Sequence, residues 1–93
     1  MSSKRNPNLV TAQILDICAD GANKTQVIYR ANLNSAMGTQ YLNDLTESGF
    51  IEAIPDGSRF IYKTTPKGLA LQEKLGQYQR TMDLLLSHAY NMQ

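Results

Sequence analysis

The chain has 93 residues, 42% of them hydrophobic, and nine Lys and Arg against eight Asp and Glu leave a formal charge of +1. That length fits one domain with little room for a second, and a chain so short gains stability from a partner copy. The single cysteine, Cys18, excludes a disulfide framework and points to a reducing, cytoplasmic setting, and no apolar run approaches the length of a membrane span.

The first eight residues, MSSKRNPN, are polar and basic and lead into no signal-peptide core. They are expected to form a flexible arm carrying Lys4 and Arg5. A first helix is predicted over 9–20, with Val10, Ile14, Ile17 and Cys18 on one stripe at helical spacing and Gly21 ending it. Asn23, with Gln26 three residues on, has the form of a capping box. It opens a short second helix over 24–31 whose Val27, Ile28 and Ala31 face inward. Asn32-Leu33-Asn34 makes a tight turn, and Asn34 can cap a third helix over 35–48. The apolar face of that helix is Met37, Tyr41, Leu42 and Leu45, and its other face offers Ser35, Thr39, Gln40 and Asn43.

Gly49 suits the left-handed residue at a helix C-terminus. The runs 50–54 and 59–63 are rich in β-branched and aromatic residues, with the turn chemistry of Pro55-Asp56-Gly57-Ser58 between them. Thr65-Pro66 then reads as an N-cap followed by proline at the first helical position. A helix, a hairpin and a second helix in this order form the back half of a winged helix. The predicted fold class is therefore mainly α with a small β-hairpin: a winged helix-turn-helix over 9–65 and a long C-terminal helix over 66–93.

In that last helix Leu71, Leu75, Tyr78, Met82, Leu85, Ala89 and Met92 repeat at alternating spacings of four and three. Such a helix is about 40 Å long and overshoots a body of three short helices and a hairpin. Its distal half exposes a Leu/Met stripe unless another chain covers it, so a homodimer through this seam is expected.

Two short helices joined by a tight turn, the second with a small-polar outer face, follow helix-turn-helix logic. Gln and Asn can bond adenine in bidentate fashion in the major groove, and Ser or Thr can meet either kind of edge. Ser35, Thr39, Gln40 and Asn43 are thus the candidates for base readout in duplex DNA. Lys24, at the start of the second helix, is expected to meet a phosphate, with Tyr29 and Arg30 as further backbone contacts. Ser58 and Arg59 stand at the wing tip, facing the minor groove or its phosphates. Asp56 on the same tip opposes that contact. By region the charge is +2 over 1–30, −2 over 31–65 and +1 over 66–93. DNA binding needs a basic face rather than a basic total, so the neutral total leaves a protein-interaction module as a competing reading.

The stretch from Asn23 to Leu45, the hairpin, and Tyr62-Lys63-Thr64-Thr65-Pro66-Lys67-Gly68 together resemble an archaeal winged-helix family that includes small crenarchaeal chromatin proteins. Lys24-Thr25, Tyr29, Ala31-Asn32-Leu33, Tyr41 and Lys67-Gly68 fit its pattern, and the resemblance covers about residues 10–92. It implies a winged-helix dimer, an antiparallel coiled coil at the C-terminus, and DNA binding in transcription or chromatin, hence a place at the nucleoid. The chromatin members are distinctly basic and this chain is close to neutral. Because non-specific binding is mostly phosphate neutralisation, a regulator acting at chosen sites is favoured over a non-specific chromatin role.

Enzyme chemistry finds little support. Cys18 lies on the apolar stripe of the first helix, as a buried, inert thiol would, and His88 flanks the seam in a different element. No Cys/His cluster has zinc spacing and no glycine-rich loop could cradle a phosphate, so neither metal nor cofactor is expected.

Overall fold

The computed structural model describes residues 6–91. The elements run α1 (Pro7–Ile17), α2 (Lys24–Arg30), α3 (Ser35–Glu47), β1 (Ile51–Asp56), β2 (Arg59–Thr64) and α4 (Pro66–Asn91). Lys4, Arg5 and Met92 lie outside the described residues.

Helix α1 starts two residues before the predicted position. Asn6 caps it, accepting the Asn8 backbone N–H at 2.8 Å, and Pro7 sits in the first turn, where its missing N–H costs nothing. It also stops earlier than predicted, because the Ala19 N–H turns back to the Asp16 carbonyl at 3.2 Å. The Leu15 carbonyl is met instead by the buried Thr64 hydroxyl, which donates to it at 2.7 Å, and the Thr64 N–H reaches the Cys18 carbonyl at 3.0 Å. The last residue of the hairpin thus satisfies the end of α1, where carbonyls lack helical partners.

The core gathers Val10, Ile14, Leu15 and Cys18 from α1 with Ala22, Val27, Ala31, Leu42, Leu45 and Ile51. Leu15 is fully buried, whereas Ile17 is only partly so, which rotates the inner face of α1 from the predicted stripe. Met37 departs from expectation in the same way: it is 43% exposed. The inner face of α3 is Gly38, Leu42 and Leu45, with Tyr41 half-buried. Helix α2 crosses at Gly38, where any Cβ would run into the Ile28 side chain.

Helices α2 and α3 end alike. The N–H of Leu33 bonds the Ile28 carbonyl at 3.0 Å and the N–H of Phe50 bonds that of Leu45 at 2.9 Å. Each closure follows a residue with positive φ, Asn32 (55°) and Gly49 (82°), the arrangement that caps a helix C-terminus and reverses the chain.

The hairpin pairs β1 with β2 from Ile51↔Thr64 to Asp56↔Arg59. Its turn is Gly57-Ser58 alone, tighter than the predicted four residues, with Gly57 at φ 63°. Pro55 and Asp56 belong to β1. With Asp56↔Arg59 closing a two-residue turn, Pro55↔Phe60 falls at a position without ladder bonds, so the proline removes none. Helix α4 then starts from Thr65, whose hydroxyl accepts the Gly68 N–H at 3.1 Å and donates to the Gly49 carbonyl at 2.7 Å. Its 26 residues span about 39 Å and stretch the molecule to 57 Å in its longest dimension.

Candidate nucleic-acid interface

The outer stripe of α3 exposes Ser35, Ala36, Gln40, Asn43, Asp44 and Glu47, while Thr39 is half-buried. The Asn34 side chain accepts the Met37 N–H at 2.8 Å and fixes the start of this helix. The first two turns of the stripe are uncharged, and its last turn is acidic. Within it the Gln40 Nε2 donates to both carboxylate oxygens of Asp44, at 3.0 and 3.2 Å.

A second feature joins α2 to the wing. The capping box forms as predicted: the Asn23 side chain accepts the Gln26 N–H at 2.8 Å, and Gln26 Oε1 accepts the Asn23 N–H at 2.9 Å. Immediately before it, Ala22 pairs with Tyr62 through two backbone bonds of 3.0 and 2.7 Å. These bonds pin the start of α2 against β2 and open a cleft of about 330 Å³ lined by Asn23, Lys24, Thr25, Arg59, Phe60 and Tyr62. Lys24 and Arg59 therefore face one space, although 35 positions separate them. The Phe60 and Tyr62 rings stand 6.4 Å apart, tilted by 48°, and Phe60 is 47% exposed. An anion flanked by a planar, apolar group suits such a lining.

The remaining predicted residues are spread more widely. Tyr29 (85% exposed) and Arg30 lie at the far end of α2, and Ser58 is exposed at the turn. Lys67 is committed to structure: its Nζ donates to the Ser48 carbonyl at 2.8 Å and sits 4.8 Å from the Phe50 ring centroid. Asp44, Thr25 and the cleft aromatics had no place among the sequence candidates. For Asp44 the signal was present, since Gln and Asp four apart on a helix are natural partners. The cleft requires the Ala22–Tyr62 pairing, which no local pattern announces.

Along α4 the seam divides. Leu71 and Leu75 pack against the core of their own chain. Beyond them Tyr78 and Leu85 are more than half exposed, Ala89 is exposed and Met82 is half-buried. Leu84 and Leu86, outside the heptad positions, are also exposed. Cys18 is buried, and burial pushes its thiol up to about 11. His88 is exposed. Among the described residues no three His, Cys, Asp or Glu side chains group so as to hold a metal ion, and no helix is long and apolar enough to cross a membrane.

Comparison with solved structures finds this fold repeatedly. The DNA-binding protein Sso10a-2 of Sulfolobus solfataricus superposes with a TM-score of 0.90 at 26% identity, covering 95% of this chain and 93% of that one. The PcaV transcriptional regulator of Streptomyces coelicolor, solved with its natural ligand, gives 0.74 at 20% identity over 89% of this chain. This chain spans 60% of PcaV's length. The homodimeric winged helix-turn-helix domain of Mb0332 from Mycobacterium bovis gives 0.62 at 23% identity, covering 88% of this chain and 75% of that one. The latter two likenesses are of fold. Comparison with curated proteins gave no match. The winged helix-turn-helix family model matches residues 4–83, all of the elements from α1 through the hairpin and most of α4, and the chain belongs to that family.

Proposed function

We propose that the protein is a homodimeric DNA-binding regulator that sets α3 in the major groove of duplex DNA and the wing at the minor groove, with α4 joining the two subunits. The observation that carries this reading is the cleft shared by Lys24 and Arg59. Two cations from distant parts of the sequence converge between the start of α2 and the wing, and α3 of the same domain exposes Ser35, Gln40 and Asn43. In this reading Lys24, Arg30 and Arg59 neutralise phosphates, Tyr29 and Ser58 add backbone hydrogen bonds, and the α3 residues read base edges. The DNA-binding description of Sso10a-2 and the dimer of Mb0332 support it.

Selective binding is favoured over dense coating of DNA. Exposed Asp44, Glu47, Glu52 and Asp56 lie on α3 and the wing and repel phosphates. Affinity must therefore come from a few well-placed contacts. Three phosphate-facing cations per subunit give a slope of log K against log salt of about −5 for the dimer.

Fluorescence anisotropy with mixed-sequence and selected duplexes over a salt series tests this. The expected result is weak, salt-sensitive binding to mixed sequence and much tighter binding to selected sites. Arg59→Ala should weaken every duplex alike and flatten the slope, whereas Gln40→Ala should blur sequence preference. Absence of binding to any duplex at low salt would leave the protein-interaction reading in its place.

A further inference from the structure

We infer that the cleft between the start of α2 and the wing is a binding site for a soluble nucleoside monophosphate, whose phosphate meets Lys24 and Arg59 and whose base lies on the Phe60 and Tyr62 rings, and that an occupied site excludes duplex DNA. The exclusion rests on the DNA contacts proposed above for Lys24 and Arg59; the nucleotide site itself does not.

The cleft exists because the chain leaves the sheet early. On its outer edge β2 is met twice: the Thr64 N–H donates to the Cys18 carbonyl at 3.0 Å, and Tyr62 exchanges two bonds with Ala22. Continued in register, the second pairing would set Lys24 opposite Phe60, but Asn23 caps α2 and the chain turns away. The hairpin register determines what is left at that edge. Pro55↔Phe60, like Ala53↔Tyr62, is a pair without ladder bonds. The Phe60 N–H and C=O therefore point away from β1, towards the side on which Tyr62 meets Ala22. They face the gap as one donor and one acceptor, with no paired strand beside them among the described residues.

Side chains complete the lining. The Asn23 side chain is taken by its capping box, which leaves Lys24, Thr25 and Arg59 as the exposed polar groups. Among the described residues neither Lys24 nor Arg59 forms an ion pair. A nucleotide matches each of these features. Its phosphate takes the two cations and the Thr25 hydroxyl. Its base offers a planar face to the two rings, which stand 6.4 Å apart and tilted by 48°, and base–aromatic stacking is a strong contact. Adenine carries the N7 acceptor beside the N6 amine donor, the complement of the Phe60 N–H and C=O. The cleft volume of about 330 Å³ falls within the range of small-molecule sites, roughly 300–1,000 Å³. A duplex phosphate accounts for the cations only, since the bases beside it are stacked within the helix. Asp56, opposite Arg59 across the turn, opposes any anion, so the base contact must supply much of the affinity.

Isothermal titration calorimetry of the full chain with adenosine monophosphate, adenosine and inorganic phosphate tests the site. Adenosine monophosphate should saturate one site per chain, and adenosine or phosphate alone should bind at least about tenfold more weakly, since each supplies part of the contacts. Phe60→Ala, with its circular dichroism unchanged, should weaken adenosine monophosphate about tenfold by removing a stacking surface. Arg59→Ala should weaken adenosine monophosphate and leave adenosine unaffected. No saturable binding at millimolar ligand, binding no tighter than that of phosphate, or wild-type affinity in Phe60→Ala would each overturn the site. In fluorescence anisotropy, adenosine monophosphate should release a bound duplex from wild type, and the same concentration should leave it on Phe60→Ala. A nucleotide that binds while the duplex stays bound overturns the exclusion and the DNA contacts assigned to Lys24 and Arg59, but keeps the site. If wild type binds no duplex at all, the DNA-binding reading falls, and calorimetry alone decides the nucleotide site.

Discussion

Two residues show how little freedom the interior leaves. Cys18 is buried and its thiol is pushed up to about 11 because the thiolate would lose its hydration. It should resist alkylation at pH 8 in the folded protein and react at once on unfolding, as a mass-shift time course would show. The same burial sets a pH dependence. The folded state retains the thiol proton above the pH at which the unfolded chain loses it. Stability is therefore unaffected at neutral pH and falls between about pH 9 and 11, and Cys18→Ala should remove that component from a series of denaturation curves. Gly38 is constrained by space instead, since a Cβ there would collide with Ile28. Gly38→Ala should cost about 1–3 kcal/mol through overpacking, although alanine is the better helix former. In an Ile28→Ala background the same change should be neutral or stabilising, a sign reversal that chemical denaturation of the four proteins would measure.

At the scale of elements, the caps do most of the positioning. The Asn23–Gln26 box fixes where α2 begins, and the Ala22–Tyr62 bridge just before it ties that start to the wing. Asn23→Ala should cost about 1 kcal/mol in thermal or urea unfolding. By loosening one wall of the cleft it should weaken DNA binding more than the loss in stability accounts for. These caps were legible in the sequence because capping is local chemistry: Asn23, Asn34, Gly49 and Thr65-Pro66 all stand where a helix starts or stops. What was not legible depended on distant partners. The early end of α1 follows from Thr64 taking the Leu15 carbonyl, a contact spanning 49 positions. Met37 was expected inside because it is apolar, yet the approach of α2 at Gly38 sets the inner face of α3 one residue further on. The first strand was read one residue early at its start and two short at its end, because Pro55 signals a turn unless its place in the ladder is known, and the second was read one short, at Thr64. The same limit applies to the candidate site. The residue types on α3 were readable, but the convergence of Lys24 with Arg59 came only with the bridge.

For the whole molecule the unresolved load is the distal half of α4. Leu71 and Leu75 are spent on the chain's own core, while Leu84, Leu85 and Leu86 are 72%, 58% and 54% exposed and Tyr78 is 51% exposed. The heptad seam thus closes the domain at Leu71 and Leu75 and is left exposed beyond them at Tyr78 and Leu85, the part that a second copy covers in the dimer proposed above. Apolar side chains in such number on a protruding helix favour association. They lie beyond the domain body, so a change at Leu85 can separate domain closure from dimerisation. Leu85→Glu should shift the protein from dimer towards monomer in sedimentation at micromolar concentration, while its circular dichroism stays close to wild type. Binding to a single half-site duplex should survive that change, and binding to a two-half-site duplex should fall by about 10²-fold or more, since linking two modules raises the effective concentration of the second. Equal loss on both duplexes would mean that α4 shapes the reading head itself. The proposed dimer would then contribute to docking geometry as well as to valency.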